Sequence, residues 1–232
     1  MRAADMGTMI VLEGIDGSGK STQFSLLCDR LAREGAEFMR VSFPAYGEPS
    51  SALVRMYLDG QFGSAPDAVN PYAASTFFAV DRFASYKRLW GDFYDRGGTV
   101  VTDRYTTSNA IHQGAKLPHG RRAGFFGWLS EFEFNLMGLP APDLVLYMDI
   151  PAELAAERRR GRESATGAVP DIHERDLSYL EECRECGLDA AEYYGWRKVR
   201  CCDGGQPRGA DDIHTEIWSE CGKLILRGGA AV

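Results

Sequence analysis

Residues Gly14-Ile15-Asp16-Gly17-Ser18-Gly19-Lys20-Ser21-Thr22 follow directly on the apolar stretch Met9-Ile10-Val11-Leu12-Glu13, and no other feature constrains the chain as tightly. A short apolar strand, a glycine-rich turn and a Lys-Ser opening of a helix together make a complete phosphate-binding loop. Glycines at 14, 17 and 19 reach backbone angles that a side chain forbids, so consecutive amide N–H groups can turn inward around a polyphosphate at a helix N-terminus. Lys20 adds a point charge that follows the phosphate oxygens, and the Ser21 hydroxyl is the expected protein ligand to Mg²⁺. The bland alternative is a glycine-rich turn carrying an exposed lysine. With Asp16, Ser18 and Thr22 also in place and both flanks correct, nucleotide binding is the stronger reading.

Composition narrows the setting. The chain has 232 residues, 44% of them hydrophobic and 25% charged, which is enough for one well-buried core without a second domain. A formal net charge of −7 argues against sequence-independent nucleic-acid binding, which needs a basic surface to neutralise backbone phosphates. No apolar run approaches the roughly 20 residues that span a bilayer. Met1-Arg2-Ala3-Ala4-Asp5 lacks the basic-then-apolar order of a secretory signal, and a cytoplasmic location is expected. Six cysteines invite a disulfide or zinc reading, but Cys183-x-x-Cys186 followed by adjacent Cys201-Cys202 does not give two paired knuckles. Cys183 and Cys186 share a helix face with Leu180 and Ala190, where small thiols pack well, and reduced thiols are expected.

Apolar runs alternate with amphipathic stretches, the pattern of a parallel sheet covered by helices on both faces. Five buried strands are expected: Met9 to Glu13, Glu37 to Ser42, Thr99 to Thr102, Leu144 to Asp149 and Lys198 to Cys202. A helix follows the phosphate loop from Lys20 to Glu34, and a long one runs from about Pro71 to Asp95, with proline at its start and Gly97-Gly98 beyond its end. Further helices follow Ser108, Ala123, Pro151 and Arg175, and Asp211-Asp212 opens a last one.

In an open parallel sheet, ligands collect at the carboxyl ends of the strands. After the second strand, Phe43, Pro44 and Tyr46 form a rigid turn whose aromatics can flank a planar base, or simply pack as a loop. After the third come Asp103-Arg104-Tyr105 and then Ser108, Asn109 and His112. There a carboxylate can hold Mg²⁺ through water and a guanidinium can reach phosphate oxygens, with a surface ion pair as the alternative. Arg82 is a charge on the apolar turn Phe77 to Phe83 and needs an anion, which an acceptor phosphate or Asp81 would supply. Beyond the fourth strand, Arg158, Arg159, Arg160 and Arg162 surround Gly161, a possible joint, ahead of a small, polar segment suited to a mobile lid over residues 158 to 174.

Taken together and in this order, these motifs resemble the thymidylate kinase family from Met9 to about Leu226. They are Gly14 to Thr22, Phe43-Pro44, Phe78 to Arg82, Asp103-Arg104-Tyr105 with Ser108 and Asn109, the arginine-rich lid, and Asp171 to Arg175. The resemblance implies a three-layer P-loop NTPase-type α/β fold with a five-stranded parallel sheet and a lid. It also implies transfer of the ATP γ-phosphoryl group to dTMP with Mg²⁺, in a homodimer packed through helices. Residue by residue, it implies that Lys20 and Ser21 serve ATP and Mg²⁺ and that Asp16 lies near the acceptor sugar or its metal-bound water. Arg82 would grip the dTMP phosphate and Phe78 would stack on thymine, with Phe43, Pro44 and Tyr46 as walls. Asn109 would fix base or sugar, Arg104 would bridge donor and acceptor phosphates, Asp103 would organise Mg²⁺, and Arg158, Arg160 and Arg162 would close from the lid. Gly17 and Ser18 stand where some members carry arginine, which places this chain with the subgroup whose catalytic arginine comes from the lid. His112 and His173 replace aromatics that close over the nucleoside in many members.

Two other classes compete. A related nucleoside or nucleoside-monophosphate kinase would share the core with a different pocket, and a non-catalytic nucleotide-binding module would share only the loop. The chain has no Asn-Lys-x-Asp guanine motif, which argues against a GTPase-type switch.

Overall fold

The alternating segments close into one parallel sheet in a computed structural model that describes residues 6–166 and 177–228. Strands β1 (Thr8–Glu13), β2 (Phe38–Ser42), β3 (Thr99–Asp103), β4 (Leu144–Asp149) and β5 (Arg197–Arg200) lie in the order β2-β3-β1-β4-β5. They coincide with the expected strands to within two residues at each end. β1 is central, and its Met9, Ile10, Val11 and Leu12 are all fully buried, as a strand covered on both faces requires. The register levels the strand ends that matter: Leu12 pairs with Asp103, and Ser42 pairs with the same residue from the other side. The chain visits β2 and β3 on one side of β1 and then crosses to β4 and β5 on the other. The loop after β1 therefore opens at the switch in strand order.

A short antiparallel hairpin, β6 (Cys202–Asp203) and β7 (Gln206–Pro207), follows β5 and was not expected. Its turn is Gly204-Gly205, both at positive φ, which is the dipeptide a tight hairpin turn favours.

Helix α1 (Lys20–Arg33) starts at Gly19 in left-handed geometry and buries Phe24, Leu27, Cys28 and Leu31 against the sheet. Helix α2 (Ala52–Leu58), absent from the expected elements, buries Val54, Tyr57 and Leu58 under the next helix. That helix, α3 (Pro71–Ser85), begins as its sequence predicts: Asn70 Oδ1 accepts Ala73 N at 2.9 Å and Pro71 occupies the first turn. The expected single run to Asp95 is interrupted by a wide π-helical turn, Tyr86–Trp90, before α4 (Gly91–Asp95). Gly91 admits that turn, since a Cβ there would stand 2.5 Å from the Tyr86 carbonyl oxygen.

Helices α5 (Thr106–Gly114) and α6 (His119–Ser130) start earlier than expected, and a second π-helical turn, Glu131–Leu136, extends α6. α7 (Ala152–Thr166) and α8 (Leu177–Tyr194) complete that side, and α9 (Ala210–Gly228) packs on α1. Cys183 and Cys186 are buried on α8 in one cluster with Leu180 and Ala190, and all six thiols are free.

Candidate active site

The phosphate loop and the end of β3 face one another across a cavity of about 680 Å³. Gly14, Gly17 and Gly19 all hold positive φ. Gly17 has no alternative, because a Cβ would lie 2.0 Å from the Ala155 carbonyl oxygen at the start of α7. Lys20 is buried under the loop it closes, its Nζ donating to Gly14 O at 2.7 Å and Ile15 O at 2.9 Å. Burial, reinforced by the Arg104 charge, holds its ammonium below the usual lysine range. Asp16 through Thr22 line the cavity, with Ser21 and Thr22 exposed to it; Gly14 lies behind the loop.

Arg104 is the hub of the opposite wall. It is the one non-glycine residue at positive φ among the described residues, at 65°. Its strained backbone is held from both sides: Arg104 N donates to Leu12 O at 3.1 Å, and Thr102 Oγ1 donates to Arg104 O at 2.7 Å. The guanidinium thereby projects toward the loop, pairing with Asp16 through Nη2. Nη1 donates to Ser108 Oγ at 3.2 Å and contacts His112 Nε2 at 3.1 Å. Burial alone would depress its pKa, but the carboxylates of Asp16, Glu13 and Asp103 outweigh that and raise it, so the charge is permanent. An arginine has no acceptor, so the Arg104 contact is a hydrogen bond with His112 Nε2 as the acceptor, and Nδ1 faces Cys183 Sγ at 3.5 Å.

Glu13, read above only as the last residue of a strand, anchors this wall. It is fully buried, accepts Gly14 N at 2.9 Å and the hydroxyls of Thr107 and Ser108 at 2.7 Å each, and lies 3.7 Å from Arg104. One carboxylate thus ties the phosphate loop to the first turn of α5. Asp103 lines the cavity with Oδ1 buried and accepting no hydrogen bond, and Ser18 Oγ is in the same condition. Among the described residues no cluster of three or more His, Cys, Asp or Glu side chains forms a metal cage. A Mg²⁺ held by one carboxylate, one hydroxyl and nucleotide phosphates needs none, and the orphaned Asp103 oxygen with the accessible Ser21 hydroxyl fits that donor set.

The other end of the cavity is walled by Phe43, Pro44, Tyr46 and Phe78, with Ser108, Asn109 and His112 of α5 alongside. Phe78 meets the edge of Tyr57 from α2, ring centroids 6.1 Å apart. Phe43 is the most buried of the four and packs on Tyr105 at 5.8 Å. Arg82 also lines this end, and the side-chain anion it pairs with is Glu133 rather than Asp81. Its Nε and Nη2 donate to Glu133 at 2.6 Å each. Asp81 is occupied elsewhere, accepting Ala45 N at 2.8 Å and Ser50 Oγ at 2.6 Å, and so holds the loop after β2 in place. Gln113, also missed, lines the cavity with a buried Oε1 that accepts no hydrogen bond.

The lid arginines divide. Arg158 lines the cavity, and so does Arg159, to which the resemblance assigns no role. Arg160 is exposed and does not line it. The reason is that Gly161 does not break the chain into a joint: α7 continues through it, and two residues along a helix turn Arg160 away from the face of Arg158. The Arg162 side chain, His173 and most of the expected lid, 167–174, lie outside the described residues. Arg208, Ala210 and Ile213, from the hairpin exit and the start of α9, line the cavity beyond the loop; helical spacing marks Ile213 only as a packing residue of the last helix, and nothing local marks Arg208 or Ala210.

The family model described as thymidylate kinase matches residues 12–213. The thymidylate kinase of Mycobacterium tuberculosis is 35% identical over 172 residues, covering 72% of this chain and 78% of the relative. That of Alkalilimnicola ehrlichii is 33% identical over 202 residues, 87% of each chain. The solved structure of the Candida albicans thymidylate kinase superposes with a TM-score of 0.70 over 94% of this chain and 92% of that one, at 23% identity, a likeness of fold.

Proposed function

Because this chain belongs to the thymidylate kinase family, and is therefore an ATP-dependent kinase acting on dTMP, we propose that the single cavity described above binds both nucleotides end to end. One observation carries this reading: the phosphate loop, Arg104 and the aromatic pocket line the same continuous space, with Arg104 between the loop and α5. The described residues support reading the chain as a single domain built on the parallel sheet.

ATP lies with its phosphates in the loop, Lys20 following the transferring group, and its adenosine toward Arg208, Ala210 and Ile213. The dTMP base enters between Phe78 and the wall of Phe43, Pro44 and Tyr46. Its phosphate falls to Arg104, whose charge is shared with the donor side through Asp16. Arg82 is already neutralised by Glu133, so it serves the base as a hydrogen-bond donor instead of clamping a second phosphate. Ser21 and Asp103 would hold Mg²⁺, which supplies charge neutralisation at the phosphates.

The acceptor is an anionic phosphate oxygen, so no strong general base is required. Catalysis consists of alignment and of quenching repulsion between two polyanions by Lys20, Arg104 and the α7 arginines Arg158 and Arg159. Tyr72, Val80 and Phe83 leave apolar surface exposed along one side of α3, as does Leu89 on the π-helical turn beyond it, and this stripe supports a homodimer. No described helix is long and apolar enough to cross a membrane. A cytoplasmic enzyme suits both the ATP donor and the six free thiols.

A coupled assay of ADP release across a panel of nucleoside monophosphates tests the reading. dTMP gives the highest kcat/KM; a clear preference for another monophosphate, or for an unphosphorylated nucleoside, refutes it.

A further inference from the structure

Glu133 is absent from the cavity wall, yet two residues of that wall converge on it. Its carboxylate is fully buried and accepts Arg82 Nε and Nη2 at 2.6 Å each, Thr106 Oγ1 at 2.8 Å and Asn109 Nδ2 at 3.1 Å. It sits in the π-helical turn Glu131–Leu136, an irregularity that helices often carry beside functional sites.

A fixed hydrogen-bond polarity follows. A carboxylate only accepts, and so does the Ser75 carbonyl, the other partner of Asn109 Nδ2 at 3.2 Å. Both amide hydrogens of Asn109 are therefore committed, the amide cannot turn over, and its remaining polar atom, Oδ1, is an acceptor. Arg82 has no acceptor at all. With Nε and Nη2 on Glu133 and Nη1 on Tyr105 O at 3.4 Å, its unused positions are donors. A donor beside an acceptor complements the C4 carbonyl and N3–H of thymine; it opposes the amino group and bare ring nitrogen that cytosine presents in the same places.

We infer that Glu133 is the positioning residue that sets the base preference of the acceptor site, by locking Asn109 as an acceptor and Arg82 as a donor. This rests on the dTMP reading above. A glutamine at 133 both donates and accepts, which frees the Asn109 amide to present either atom and leaves Arg82 with an uncompensated charge.

Steady-state kinetics of the wild type, Glu133→Gln and Thr106→Val test it, reading KM for dTMP, KM for ATP and Ki for dCMP as an inhibitor. In Glu133→Gln the ratio of Ki for dCMP to KM for dTMP falls at least about tenfold, with KM for dTMP changing more than kcat and KM for ATP unchanged. Thr106→Val removes one neutral donor from the carboxylate while keeping side-chain shape and charge, and moves the ratio the same way by about threefold. It decides the matter if Glu133→Gln does not fold. A folded Glu133→Gln with the wild-type ratio overturns the inference. So does an unmoved ratio in Thr106→Val where Glu133→Gln cannot be purified, or a parallel change in both substrates' KM values. A wild type that releases no ADP with dTMP refutes the thymidylate reading instead.

Discussion

Arg82 and Glu133, 51 residues apart in the chain, form a bidentate ion pair with both contacts at 2.6 Å and with side chains 2% and 0% exposed. Charges this deep are tolerated only as a pair, and losing one partner strands the other. The pair also gives the arginine on the apolar turn Phe77 to Phe83 its counter-charge.

Arg82→Ala therefore costs roughly 3–5 kcal/mol of folding stability, read by urea denaturation, as well as at least about tenfold in kcat/KM. Wild-type stability together with wild-type turnover would remove Arg82 from both roles.

Arg104→Ala and Lys20→Met each lower kcat/KM at least about tenfold, or about 1.4 kcal/mol of transition-state stabilisation. Arg104→Lys does not restore activity, because one ammonium cannot contact Asp16, Ser108 and His112 together as the planar fork does. Full rescue by lysine would show that charge alone matters there.

His112→Ala raises KM for dTMP more than it lowers kcat. The imidazole holds Arg104 at Nη1 and lines the cavity, but no step of the transfer passes through it. An unchanged KM would contradict a binding role.

Lys116 bridges α5 to the α2 side of the pocket, donating to Tyr57 OH at 2.7 Å and Val69 O at 3.1 Å. Burial pushes its ammonium down to about 8 from 10.5. The unfolded chain thus binds more protons between pH 8 and pH 10.5, and this residue makes stability rise with pH across that window. Tyr86 and Tyr94, raised to about 12 mainly by burial, act in the opposite sense but equally in wild type and variant. The melting temperature of the wild type minus that of Lys116→Met grows as pH rises through the window; a flat difference rejects the assignment.

The strands and the phosphate loop were legible because each announces itself locally, through an apolar run or a glycine spacing. Arg104 was legible for the same reason, sitting one residue past a strand end. Glu133 was not: in Glu131-Phe132-Glu133-Phe134 it reads as a solvated helix face, and only the π-helical turn and the approach of α3 bury it. The resemblance assigns the lid role to Arg158, Arg160 and Arg162 and leaves Arg159 without one, while the helical phase of α7 brings Arg159 onto the cavity wall beside Arg158. The Gly204-Gly205 pair did carry a hairpin signal. Arg208 carried none, since its place beside the phosphate loop comes from α9 packing on α1.

The most direct test of the central claim is inhibition by a bisubstrate analogue in which adenosine and thymidine are joined through a polyphosphate bridge. Two nucleotides aligned in one cavity predict one equivalent bound per chain, competition against both ATP and dTMP, and weakened binding in Arg104→Ala. An analogue that competes with only one substrate would contradict the account.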